Sequence, residues 1–127
     1  MTLSAEDRVV MEKTTPIYTC YLYDAAGAAV PSANIVSIVM TLWAAKTGTV
    51  INSRDGQSVF NANQGTYHAT SGLFTMAWVV GDTTIIDTTL AAGELEEHKF
   101  QLTWTYETSK VGKHEDSFLV KQLLKTT

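Results

Sequence analysis

Phe100, Leu102, Trp104 and Tyr106 line one side of a run whose other side is Lys99, Gln101, Thr103 and Thr105. A period of two is the mark of a strand with one buried and one wet face, because successive side chains of an extended chain point in opposite directions. The run from Leu95 to Tyr106 is the clearest strand in the sequence, and whatever fold the chain adopts must give it a sheet.

Other segments repeat the pattern. Tyr18, Cys20 and Leu22 alternate with Ile17, Thr19, Tyr21 and Tyr23, and Ile38, Met40 and Leu42 alternate with Val39, Thr41 and Trp43. Phe74, Met76 and Trp78 share one face of a further run, and Phe118 and Val120 oppose Leu119 and Lys121 in the last. Threonine makes up 19 of the 127 residues and recurs beside Val, Ile, Tyr and Trp, a bias that suits pleated sheets because side chains branched at Cβ are stiff. Glycines punctuate the runs. Asp55-Gly56 reads as a tight turn, Thr49-Val50-Ile51 and Thr66-Tyr67-His68 as short strands, and Ser109 to Lys113 as the hairpin between the last two strands. Asp82 to Ala92 reads as a loop holding a single helical turn, with Ile85, Ile86 and Leu90 tucked beneath it.

About seven strands result, and an immunoglobulin-like β-sandwich is the most economical all-β closure, with a small Greek-key barrel as the competitor. Residues 16–127 form that domain. Residues 1–15 are read as a short flexible arm, in which Ser4-Ala5-Glu6-Asp7 has capping-box spacing and Val9, Val10 and Met11 line a short helical face.

Composition narrows the class further. With 45% hydrophobic residues and a net charge of −4 the chain is not of disordered type, and no apolar run approaches the roughly 20 residues that span a bilayer. The acidic start of the chain is unlike a secretory signal. A pI near 5.2 argues against nucleic-acid partners, whose phosphates call for concentrated Lys and Arg. The lone Cys20 closes no internal disulfide, so core burial and sheet hydrogen bonds must hold the fold.

No catalytic, cofactor-binding or metal site is expected. The nearest metal candidate sets Glu96-Glu97-His98 beside His114-Glu115-Asp116 across the final hairpin, but neighbours on a strand point to opposite faces, which favours solvated charge. Cys20 sits in an apolar strand and reads as a buried thiol. Ser71-Gly72 and Ser53-Arg54-Asp55 read as turns without a nucleophile elbow, and the lysines and glycine of 109–113 lack phosphate-loop spacing. Asp82, Asp87, Glu94, Glu96 and Glu97 gather five acids in one stretch, whereas Lys110, Lys113, Lys121 and Lys125 gather towards the end. Such polarity suits docking between subunits.

The string Thr49-Val50-Ile51-Asn52-Ser53-Arg54-Asp55-Gly56-Gln57-Ser58-Val59, then Gly72-Leu73-Phe74-Thr75, Glu94-Leu95-Glu96-Glu97-His98, Trp104-Thr105-Tyr106 and Gly112-Lys113-His114-Glu115, resembles small structural proteins encoded in the morphogenesis regions of tailed bacteriophages. The resemblance spans residues 17–121. It implies a non-enzymatic virion protein made in the host cytoplasm. Such a protein would be a capsid decoration or neck subunit, binding capsid or connector proteins as a homo-oligomer or symmetric array, without nucleic acid or membrane. A second reading is a carbohydrate- or receptor-binding tail module in which Tyr21, Tyr23, Tyr67 and Trp43 stack on sugar rings.

Overall fold

A computed structural model describes residues 9–68 and 71–123. Its strands are β1 (Val9–Met11), β2 (Ile17–Tyr21), β3 (Ile35–Ala44), β4 (Gln57–Ser58), β5 (Gly65–Tyr67), β6 (Leu73–Ala77), β7 (Leu95–Tyr106) and β8 (Lys110–Lys121). They form two sheets, one of five strands in the order β1-β8-β7-β3-β4 and one of three in the order β2-β6-β5. The chain is thus an all-β, two-sheet sandwich. β7 lies at the middle of the larger sheet, antiparallel to both β3 and β8.

The alternation explains which faces meet. From β3 come Ile38, Met40 and Leu42, from β7 Phe100 and Leu102, from β8 Val120, and from β6 Phe74 and Met76, all buried between the sheets. The ring of Phe100 receives Tyr18 edge-on at 4.8 Å and Trp78 at 5.0 Å, a geometry that sets positive ring edges against negative faces. Apolar area removed from water is the main favourable contribution to such a fold.

Several expectations are corrected. Val9–Met11 is a strand, not a helical face: it runs parallel to β8, pairing Val10 with Val120 and packing Val10 on the core. Residues 1–8 lie outside the described residues. Thr49–Ile51 shrinks to one bridge between Val50 and Trp43, with Ile51 buried. The helical turn near Asp82 exists as a short 3-10 segment, Val80–Thr83; of the apolar residues behind it, Ile85 packs on the core and Ile86 is exposed.

The final hairpin turns earlier than its glycine indicates. Tyr106 pairs with Lys110, and Glu107 and Thr108 make the turn with φ of 47° and 75°. Gly112 lies inside β8 opposite Trp104, where a Cβ would overlap the indole. That glycine is needed for close approach.

Candidate functional site

The two triplets proposed to face each other across the hairpin do not meet. Register places His98 opposite Phe118 and His114 opposite Leu102, so the triplets lie at different levels of the sheet. Among the described residues, no group of three or more His, Cys, Asp and Glu side chains is placed to hold a metal ion.

Glu96 and His98 turn inward instead. They occupy the same even-numbered row of β7 as Phe100, and His98 is fully buried. Its Nδ1 lies 3.0 Å from the Asp82 carbonyl oxygen and therefore donates to it, while Nε2 lies 2.6 Å from Glu96 Oε1 with a proton between them. The Glu96 carboxylate also accepts the Ile86 N–H at 3.0 Å and the Asp87 N–H at 2.8 Å. These two residues anchor the loop after Thr83 to the sheet.

A second network stands beside the first. Arg54 is 1% exposed, and its guanidinium donates to both oxygens of Asp82, to Gln57 Oε1 at 2.8 Å, to Gln64 Oε1 at 2.8 Å and to the Asn63 carbonyl at 3.1 Å. Asp82 in turn accepts Asn52 Nδ2 at 3.0 Å and the Val79 N–H at 2.8 Å. A buried ion pair is tolerable only when its remaining hydrogen-bonding capacity is met, as here. The Ser53-Arg54-Asp55 turn therefore carries the one buried residue among the described lysines and arginines.

These networks alter the expected charge map. Of the five acids from Asp82 to Glu97, Asp82 and Glu96 are internal, leaving Asp87, Glu94 and Glu97 to face solvent in whole or part. Thr89 donates its N–H and hydroxyl to the Asp87 carboxylate, which holds that acid below its usual range. Lys110 and Lys113 are exposed and Lys121 is half-buried; Lys125 lies outside the described residues.

Between the sheets, the Tyr18 hydroxyl meets His114 Nε2 at 3.0 Å and donates to Asp116 Oδ2 at 3.2 Å. Burial raises the Tyr18 phenol well above its usual range and pushes the neighbouring Cys20 thiol up to about 11. A thiol so disposed holds its proton and is a poor nucleophile. Ser71 Oγ accepts the Leu73 N–H at 3.3 Å, in keeping with a turn role.

The four aromatic residues proposed as sugar platforms separate. Tyr67 is buried and donates its hydroxyl to the Val30 carbonyl, and Trp43 is half-buried on the outer face of the larger sheet, paired with Lys99. Tyr21 and Tyr23 stay together. They are 44% and 50% exposed, with ring centroids 6.2 Å apart and planes inclined at 36°. They border a half-open groove of about 400 Å³, whose far wall is Val111 to His114 at the start of β8. A larger open groove of about 880 Å³ lies at the opposite end of β7, between Lys46, Thr49, Asp87, Leu90 and Lys99.

The outer face of the smaller sheet is the remaining surface of note. Across it Ile17 pairs with Ala77, Thr19 with Thr75 and Tyr21 with Leu73, and Thr66 continues the middle row. None of these seven residues is charged.

These features define an all-β sandwich whose buried polar groups brace loops and whose open features, among the described residues, include an uncharged sheet face and two grooves. Comparison of the chain with protein-family models, with curated proteins and with solved structures returns no match.

Proposed function

We propose that the protein is a structural component of a tailed-phage virion, a capsid decoration or head–tail neck subunit with an immunoglobulin-like sandwich. On this reading it docks on neighbouring capsid or connector proteins rather than carrying out chemistry. The observation that carries the reading is the uncharged face of β2, β6 and β5, where Ile17 is 60% exposed and Ala77 lies open beside it. Depletion of charge with apolar and aromatic enrichment is what distinguishes the centre of a protein–protein contact from ordinary surface. In a symmetric array each such contact is repeated, and effective concentration turns modest interfaces into a firm attachment.

The rigid interior supports this role. Arg54 with Asp82 and His98 with Glu96 fix the loops to the sheets, so the face is presented without a large ordering cost on docking. Immunogold labelling of particles purified from the producing host tests the assignment: label on intact particles is the expected result, and label confined to the unassembled fraction refutes it. Ile17→Lys with Ala77→Lys, two exposed positions, is expected to retain the fold and lower occupancy on the particle at least tenfold.

A further inference from the structure

We propose that the groove between the end of β2 and the start of β8 binds a carbohydrate, with Tyr21 and Tyr23 as its stacking platform. A pyranose ring offers an apolar C–H face and a rim of hydroxyls, so a site for it needs an aromatic surface beside fixed donors and acceptors. The groove supplies both. The two tyrosine rings are side by side and half exposed, at 6.2 Å, on one wall.

The polar groups are held in place. Asp24 Oδ1 accepts the N–H groups of Ala26 and Ala28 at 2.9 and 3.0 Å, which fixes the carboxylate at the margin of the groove with Oδ2 outside those two bonds. Tyr106 is 3% exposed; its hydroxyl oxygen accepts the Ala25 N–H at 3.0 Å, so its own proton remains for donation. His114, on the inward row of β8, binds Tyr18 through Nε2, leaving Nδ1 for a ligand. The backbone under the platform is tied too, since the Trp104 indole N–H donates to the Tyr23 carbonyl at 3.3 Å and Tyr23 bridges to Ala29.

Charge selects among ligands that stack. Nucleotides would also lie on tyrosine, but one lysine beside one aspartate gives no net attraction for phosphate, and the chain carries −4 overall. An uncharged polyol fits. About 400 Å³, half open, accommodates a mono- or disaccharide, and a site of this size and exposure binds a single sugar with a Kd on the order of 1 mM.

The site does not depend on the virion reading. Ile17 and Ala77, whose substitution tests docking, are outside the groove lining. The experiment is a glycan array probed with the labelled protein and with Tyr21→Ala/Tyr23→Ala, followed by an amide-resolved NMR titration with the best-retained free oligosaccharide. Retention is expected to fall at least tenfold in the double variant, and shifts are expected at residues 21–25 and 111–114. No glycan retained above the double-variant background, equal retention by both proteins, or shifts confined to another surface overturns the proposal.

Discussion

Arg54 and Asp82, 28 residues apart in the chain, meet as a two-pronged ion pair sealed from solvent, with every N–H of the guanidinium engaged. The pair joins the irregular stretch after β3 to the turn that leads into the loop before β7. Arg54→Met leaves Asp82 buried and without its cation, which costs about 3–5 kcal/mol. The thermal midpoint is expected to fall on the order of 10–20 °C, measured by calorimetry. Arg54→Lys should recover only part of this, because an ammonium presents no planar fork to a carboxylate.

Glu96→Ala removes the acceptor of the Ile86 and Asp87 amides together with the partner of His98. Hydrogen bonds to a charged group contribute about 1.5–3 kcal/mol each, and although water replaces part of what the two amides lose, the buried His98 is left without its partner, so a loss of about 3–5 kcal/mol is expected overall. The diagnostic measurement is hydrogen exchange: the Ile86 and Asp87 amides should exchange much faster while the amides of β3 and β7 keep most of their protection.

Gly112→Ala places a methyl group into the Trp104 indole. Relief requires the indole to tilt or the hairpin to spread, at about 1–3 kcal/mol. The near-ultraviolet dichroism of the tryptophans should change while the far-ultraviolet spectrum stays as in the parent. An Ala variant as stable as the parent, with an unaltered near-ultraviolet signal, would show that the strand has room there.

Alkali should destabilise the protein in two stages. Burial raises Cys20 from 9.0 to about 11 and Tyr67 from 10.0 to about 12, so each group loses its proton more readily in the unfolded chain. Their contribution is complete below the unfolded values and is lost as pH climbs from 9 towards 12. Each fully responding group lowers stability by about 1.4 kcal/mol per pH unit within its window. Cys20→Ala is expected to remove the first stage, between pH 9 and 10, and leave the later tyrosine stage, as read from urea midpoints across pH.

The inward sets of β2, β3, β6 and β7 were legible because one period of two decides burial along each strand. The same period, carried two steps back from Phe100, also places His98 and Glu96 inside; charge type alone argued for the surface, and partners on a distant loop reversed that preference. Arg54 was not legible. Its ligands come from Gln57, Asn63, Gln64 and Asp82, an arrangement fixed by how loops close over the sheet edge and by no local spacing. Gly112 falls in the stretch that reads as the hairpin turn, yet the reason for a glycine there is the tryptophan on the facing strand, which only the register reveals. The pairing of Tyr21 with Tyr23 follows from strand alternation, whereas Trp43 is set apart because β3 joins the other sheet and Tyr67 because its phase on β5 turns it into the core.

β1 runs parallel to β8, with Val9, Val10 and Met11 beside Leu119, Val120 and Lys121. Tension entering before Val9 and leaving after Lys121 would pull these neighbours in opposite directions along their own axes. Their cross-links would then be sheared together rather than peeled apart in sequence, which gives the sandwich a mechanical clamp along the line on which a chain tethered at both ends would be stretched.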